Sequence, residues 1–369
     1  MSGEFDPAAE LGLFPDKTFV CNCRGFLTKN NNVRDLCDRF ISNGAHLYDV
    51  LCRYDDLTAY VLGREEATAG DSLKWAVAFM KAFGASDHSM NEYSAQCQKL
   101  MPEAEGTMRY ISNLMPTFIT TSMYEHGMLP LLESLDAPLC EHTCSRVEMD
   151  HADFGRAESR KIRDMAVEVA ALRVPKVVYE LNVPMEVDAD DVKIIKTLDR
   201  IIGERMPETP AMNLMESMTA INSHKKAYRL LDIRRQTNID LDSTFYIGGD
   251  ATDYQAMDLV RDSGGISVSF NGADFAVRGC NIAVLSKDSM VGALLAHEFY
   301  NKGYQSVVDL ANNWSRKTLK DYGIQDQNLL DCFLKAHPRK LPDVYLVDKH
   351  NRDQVAEKSA AYRKKLLGA

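Results

Sequence analysis

The chain has 369 residues, of which 45% are hydrophobic and 26% are charged, the composition of a globular protein of about two domains. Its formal net charge of −10 disfavours a nucleic-acid partner, because nucleic-acid phosphates attract basic surfaces. Residues 1–16 lack the basic start and apolar run of a signal peptide, and no stretch approaches the roughly 18 apolar residues of a membrane span. Nine cysteines without a regular framework indicate reduced thiols, so we expect a cytoplasmic protein with no membrane partner.

The N-terminal third of the chain predicts two strands separated by helices. The first predicted strand is Thr18–Cys23, which ends at the turn-forming pair Arg24-Gly25. Helical patterns follow over residues 33–108, and the clearest helix is Asp71–Phe83, whose apolar residues recur at helical spacing. The second predicted strand is Thr117–Thr120.

The middle of the chain predicts one more strand, at Ser145–Met149, and then a helical region. The predicted helices there are Gly155–Leu172, Ala189–Gly203 and Met212–Arg234. The methionines of the last segment are typical of core packing rather than of a cofactor site.

Strands and helices alternate closely from residue 244 onward. Strands are predicted at Thr244–Ile247, Gly265–Phe270 and Asn281–Leu285, with a helix at Tyr254–Asp262. Short apolar runs alternating with helices are typical of a parallel sheet covered on both faces. Residues 288–369 are predicted to be mostly helical with a late strand at Val344–Val347, and the basic end YRKKLLGA is interpreted as a solvated helix end.

Parallel sheets bind ligands at the carboxyl ends of their strands, so the loops after these strands are the expected location of any site. Four segments near those ends resemble, in order, the motifs of haloacid-dehalogenase-like (HAD) phosphatases related to phosphoserine phosphatase. The segment NCRGFLT, Asn22–Thr28, resembles the first motif, Asp-x-Asp-Gly-x-Leu-Thr. The other three are Thr121 with Ser122 after the second strand, Lys226 at a helix start, and GGDATD at residues 248–253.

The resemblance implies an α/β fold with a HAD-like Rossmannoid core, a parallel sheet and a helical cap inserted after strand 1. Its expected divisions are a core of residues 1–29, 106–152 and 212–290, a cap of 30–105, a helical insertion of 153–211 and a mostly helical extension of 291–369. The segments TSMYEHG, CEHTCSRVEMD and the final RKKLLG also resemble an archaeal HAD-like family labelled as subunit R of an energy-converting hydrogenase. That label points to a structural or regulatory subunit with a protein partner.

In the family, the first aspartate of motif one attacks phosphorus and the second is the general acid and base. The acidic fourth motif helps to hold Mg²⁺. This chain has Asn22 at the nucleophile position and Arg24 at the acid–base position. An amide cannot form an aspartyl-phosphate, and an arginine does not release its proton in proteins. The resemblance therefore implies a phosphatase homologue whose catalysis is lost or impaired.

We expect instead that the site binds a small anionic or phosphorylated ligand without a metal. The expected anion-binding residues are Arg24, Thr121, Ser122 and Lys226, with the Arg24 guanidinium in place of Mg²⁺. The alternative is an active Mg²⁺-dependent phosphatase that uses Asp250 and Asp253 as metal ligands.

Each of these residues also has a structural interpretation. Lys226 is by default a solvated lysine, and Thr121 a strand end or helix cap. Asp250 and Asp253 are also typical helix N-terminal acids. Buried packing is favoured for Cys21 and Cys23 over a catalytic thiol, and for the cysteines of the segment 140–144 over a zinc site.

Overall fold

The computed structural model describes residues 16–136, 140–178 and 186–368. Its strands are β1 Thr18–Cys21, β2 Thr117–Tyr124, β3 Glu141–Ser145, β4 Val177–Val178, β5 Glu186–Val187, β6 Thr244–Gly248, β7 Ile266–Phe270, β8 Ile282–Leu285 and β9 Asp343–Leu346. Seven of them form one sheet in the order β3-β2-β1-β6-β7-β8-β9. All neighbours in this sheet are parallel except β9, which pairs antiparallel with β8. Strands β4 and β5 form a separate antiparallel pair.

The sheet is surrounded by α-helices. In the described residues these are α1 Asn32–Phe40, α2 Gly44–Asp56, α3 Ser72–Ala82, α4 Asp87–Cys97, α5 Ala104–Leu114, α6 Glu125–Leu135, α7 Arg156–Ala170, α8 Val192–Leu198, α9 Ala211–Ser217, α10 Ser223–Thr237, α11 Tyr254–Asp262, α12 Asp274–Gly279, α13 Met290–Lys302, α14 Tyr304–Asn312, α15 Arg316–Asp321, α16 Gln327–Ala336 and α17 Arg352–Leu367. None of the helices in these residues is both long and apolar enough to cross a bilayer.

The central strands are buried on both faces because helices pack on each side of the sheet. In β1, Phe19 and Cys21 belong to the core beneath α13, whereas Val20 belongs to the core beneath α10 and α11. This alternation follows from the two-residue repeat of a strand. The mostly parallel sheet with helices on both faces confirms the predicted α/β class and is consistent with a HAD-like Rossmannoid core. The predicted burial of Cys21 and Cys23 is also confirmed.

Two separate parts of the chain build the cap. Helices α1–α4 follow β1, and helices α7–α9 come after β3. Their apolar faces share one core, in which Leu51 and Val77 of the first part pack with Ile162 and Leu214 of the second. The cap therefore depends on both insertions for its buried apolar surface.

The structure corrects three predicted elements. Strand β2 continues past Thr120 to Tyr124. The third strand is Glu141–Ser145 and not Ser145–Met149, because it pairs with β2 in that register. The predicted helix Met212–Arg234 is two helices, since the chain between them is extended where Thr219 pairs with Arg146.

The late strand and the burial of two cysteines were predicted correctly, and one prediction lies almost wholly outside the described residues. The late strand is present as β9, and Cys140 and Cys144 are buried as predicted. In the described ranges, no group of three or more His, Cys, Asp or Glu side chains is arranged to hold a metal ion. The prediction that residues 1–16 are not a signal peptide concerns a segment of which residues 1–15 lie outside the described residues.

Candidate functional site

A cavity of about 370 Å³ lies between the cap and the carboxyl ends of β1, β2 and β6. Its core-side wall includes Asn22, Arg24, Thr121, Ser122 and Asp250. The first two follow β1, the next two belong to β2, and Asp250 follows β6. The sheet topology thus brings together residues that lie far apart in the sequence, at the edge where parallel sheets carry their sites.

Further lining residues come from the cap and from the C-terminal part of the chain. Helix α2 contributes Arg53, Asp55 and Asp56, while Asp274 and Arg363 come from α12 and α17. The cavity is therefore lined by charges of both signs.

Asp253 and Lys226 lie beneath the cavity and do not line it. Both side chains are fully buried and form an ion pair of 2.6 Å. Five donors reach the Asp253 carboxylate: Lys226 Nζ at 2.6 Å and Tyr246 Oη at 2.9 Å on Oδ1, and Asn22 Nδ2 at 2.8 Å, Gly249 N at 2.8 Å and Asp250 N at 2.9 Å on Oδ2. This network replaces the water that each charge loses on burial.

The default interpretation of Lys226 as a solvated lysine is wrong. Its ammonium group donates to Thr252 Oγ1 at 3.0 Å as well as to Asp253, and its side chain has no exposed surface. The structure gives it the position of a counter-ion below the cavity. Asp253 also accepts the Asp250 N–H, as expected of a helix N-terminal acid.

The Asn22 side chain lies between two carboxylates. Its Nδ2 donates to Asp250 Oδ2 at 3.0 Å and to Asp253 Oδ2 at 2.8 Å, and its Oδ1 accepts the Cys23 N–H at 2.7 Å. These contacts use the amide in one orientation, with nitrogen toward the acids. The neutral amide thus donates to both acids without adding a third negative charge.

Asp250 is held by two arginines. Arg363 forms an ion pair with Oδ1, and Arg24 Nη1 lies 3.6 Å from the same oxygen. Burial raises the pKa of Asp250, but the charges of Arg363, Arg24 and Lys226 outweigh it, so the pKa lies below its ordinary value. The carboxylate is therefore charged at neutral pH.

Arg24 is the under-coordinated cation of the site. Gly25, with φ of +88°, turns the chain after it, as the turn signal predicted. The Arg24 side chain is 15% exposed and lines the cavity. Its Nε is buried without a partner, and no described residue accepts a hydrogen bond from the guanidinium at normal distance. A guanidinium has five N–H donors, so this one retains unused hydrogen-bonding capacity.

Arg363 is the residue that sequence interpretation missed. It is only 5% exposed, so the interpretation of YRKKLLGA as a wholly solvated helix end is wrong at this position. The buried residues of α17 are Val355, Ala356, Ser359 and Arg363, which recur at helical spacing. This periodicity was visible in the sequence and places Arg363 on the buried face.

The residues present do not fit the Mg²⁺ ion that the family resemblance implies. Every oxygen of Asp250 and Asp253 already has a protein donor or cation at hydrogen-bond or ion-pair distance. Asn22 directs its NH₂ group, not its oxygen, toward both carboxylates. Divalent cations such as Mg²⁺ need oxygen atoms that are free to bind them. The carboxylate oxygens of Asp250 and Asp253 are already occupied by protein donors and cations.

Asp55 on the cap wall is a buried acid. Burial raises its pKa to about 7, although its carboxylate accepts the N–H groups of Ser72 and Gly70. The nearby charge of Asp71 raises it further. Burial also raises the pKa of the adjacent Asp56. This side of the cavity therefore loses negative charge below neutral pH.

We expect the stability of the protein to fall as the pH rises through the titration of Asp55. Between its ordinary pKa of 3.8 and its folded pKa of about 7, the folded state holds a proton that the unfolded state has released. Raising the pH in this window therefore favours unfolding, by roughly 2–3 kcal/mol between pH 5 and pH 8. Urea unfolding of the wild type and Asp55→Asn at several pH values measures this difference. Parallel pH profiles for the two proteins would contradict it.

Comparison with known proteins supports the fold. No protein-family model and no curated protein matches the chain. Among solved structures, gene product AF1437 from Archaeoglobus fulgidus aligns with 96% of this chain and 97% of its own, with a TM-score of 0.75 and 19% identity. This likeness shows a shared fold over nearly the whole chain.

More distant structures include a phosphoserine phosphatase and a HAD family hydrolase. A phospho-aspartyl intermediate analogue of phosphoserine phosphatase aligns over 74% of this chain and 95% of its own, with a TM-score of 0.45 and 11% identity. A HAD family hydrolase from Salmonella enterica serovar Typhi aligns over 72% of each chain, with a TM-score of 0.41 and 10% identity.

Proposed function

We propose that this chain is a HAD-fold protein that forms no phospho-enzyme and binds a small phosphate-like anion in the cavity beneath its cap. The observation that supports this most directly is Arg24, a guanidinium that faces the cavity with donors to spare. Its planar fork of N–H groups suits phosphate oxygens.

The charges around Arg24 favour the same ligand. Three cations, Arg24, Lys226 and Arg363, pair with two carboxylates, Asp250 and Asp253, so this cluster of side chains around Asn22 has an excess of one positive charge. An anion is attracted to such an excess more strongly in a partly enclosed site than in bulk water. Thr121 also lines the cavity, and its side chain carries a hydroxyl group.

Binding without turnover follows from the chemistry of the two replaced positions. Phosphoryl transfer in the related phosphatases needs a carboxylate nucleophile and a carboxyl acid–base group. Asn22 is bound through its amide to Asp250 and Asp253, and Arg24 remains protonated. An anion bound beside Arg24 therefore meets neither a carboxylate nucleophile nor a carboxyl acid–base group at the two motif positions.

The cavity has the size of a small-molecule site. Its volume of about 370 Å³ is at the lower end of the range for protein ligand pockets, roughly 300–1,000 Å³. The polar cap wall, with Ser72 and the Asp55 carboxyl group, favours a ligand that carries hydrogen-bond donors beyond its anionic group.

We expect inorganic phosphate to stabilise the protein in the absence of metal. For a dissociation constant near 1 mM, 10 mM phosphate raises the free energy of unfolding by about 1.4 kcal/mol. Arg24→Met should abolish the effect, whereas Lys29→Met, which changes a lysine outside the cavity lining, should retain it. Thermal unfolding in phosphate with EDTA measures this shift.

Thermal unfolding, together with an assay of phosphatase activity and a test for co-purifying proteins, separates the alternatives. Turnover of an aryl phosphate with Mg²⁺ would favour an active phosphatase and contradict the proposal. Neither stabilisation nor turnover, with a stably co-purifying protein, would favour a structural or regulatory subunit, as the hydrogenase label of the archaeal family suggests. The relation to that family and a cytoplasmic location remain predictions from the sequence.

A further inference from the structure

We propose that Arg363 is a built-in cation that takes the place of a divalent metal ion at this site, so that helix α17 makes the site independent of metal. The proposal concerns the C-terminal helix, and it holds whether or not the cavity binds an anion.

Arg363 binds oxygen atoms of the types that commonly coordinate divalent cations. Its Nη1 donates to the main-chain oxygens of Gly249 at 3.0 Å and Asn271 at 2.9 Å, and its Nη2 binds the Asp250 carboxylate. Carboxylate and main-chain carbonyl oxygens are the usual ligands of Mg²⁺ and Ca²⁺. The loops after β6 and β7 thus form an oxygen-lined cation site, and a guanidinium fills it.

Removing this guanidinium would leave these oxygens with less compensating positive charge. Asp250 would keep only Arg24, at 3.6 Å, and the Asn22 amide, while two buried carbonyl groups would lose a charged donor. Buried groups of this kind are costly unless a cation or donor replaces the lost one. A divalent ion is then a suitable replacement.

Helix α17 fixes the guanidinium in this position. Ser359 Oγ donates to Gly272 O at 2.6 Å, and Val355 and Ala356 pack in the core under the sheet. These contacts lie one and two turns before Arg363 on the same buried face. The cation is therefore part of the folded core and cannot leave without local unfolding of α17.

The test compares Met and Lys at position 363 in an Arg24→Met background, where no second guanidinium competes. Both variants lose the guanidinium contacts, but only Met loses the positive charge. We expect Arg24→Met/Arg363→Met to bind Mn²⁺ at least ten-fold more tightly than Arg24→Met/Arg363→Lys, by electron paramagnetic resonance and by thermal stabilisation. The control Arg24→Met/Lys364→Met changes an exposed lysine of the same helix and should bind no Mn²⁺ at this site.

Equal Mn²⁺ binding by the Met and Lys variants would overturn the proposal, as would binding by neither when both unfold cooperatively. If the Met variant does not fold alone, its refolding yield with and without Mn²⁺ gives the same answer. A yield that Mn²⁺ leaves unchanged also rejects the proposal. None of these readouts involves phosphate, so their failure is separate from failure of the proposed anion binding.

Discussion

Replacing Lys226 by Met is expected to lower the free energy of unfolding by about 3–5 kcal/mol, the usual effect of breaking a fully buried ion pair. The substitution leaves the Asp253 carboxylate buried without its cation, although four other donors still reach it. Urea unfolding at neutral pH measures the loss. The matched control is Lys225→Met, which removes the neighbouring exposed lysine and should change stability by less than about 0.5 kcal/mol.

A second substitution shows whether the loss comes from the unpaired charge. In Lys226→Met/Asp253→Asn a neutral amide replaces the unpaired carboxylate. The double variant should therefore be more stable than Lys226→Met alone. This comparison measures the coupling between the two residues. If the double variant loses the full sum of the two single effects, the buried pair does not act as an ion pair.

Local patterns predicted most of the sheet. Strands β1, β6, β7 and β8 are short apolar runs bounded by turn residues, and each was predicted to within two residues at either end. Such runs are recognisable without tertiary information because every residue in them is buried. The break in the helix after residue 217 was not predictable in this way, because it depends on pairing between Thr219 and the distant Arg146.

The same distinction applies to the candidate site. Asn22 and Arg24 were predicted as site residues because the segment NCRGFLT, at the end of the first predicted strand, resembles the first HAD motif, and the structure places both residues at the cavity. Arg363 reaches Asp250 across 113 positions of sequence, and nothing local to either residue indicates the contact. A helical periodicity predicts that a residue is buried, but not which charge it meets.

The residues around Asn22 form a charge arrangement that does not depend on a metal. Cations enter from three separate elements, with Lys226 on α10, Arg363 on α17 and Arg24 after β1. A metal would supply the same positive charge only when bound, whereas these side chains supply it whenever the protein is folded. The positive charge around Asn22 is therefore supplied by the folded chain itself.

Asn22→Asp is expected to destabilise the protein by about 3 kcal/mol or more at pH 8, because it adds a carboxylate to a buried cluster of acids. The new side chain would lie where the amide now donates to Asp250 Oδ2 at 3.0 Å and to Asp253 Oδ2 at 2.8 Å. Two attractive contacts would become repulsive. At pH 5 a shared proton relieves part of the repulsion, so the loss should be smaller there.

Asn22→Ala is the control for this experiment, because it removes the two donors without adding charge. Its loss should be smaller, about 1–3 kcal/mol for the unsatisfied acceptors, and nearly the same at pH 5 and pH 8. Urea unfolding of both variants at the two pH values measures the difference. Equal losses for Asp and Ala, or an Asp effect that does not grow with pH, would show that the position tolerates a negative charge. In that event the neutrality of Asn22 would not be required for the stability of the Asp250 and Asp253 cluster.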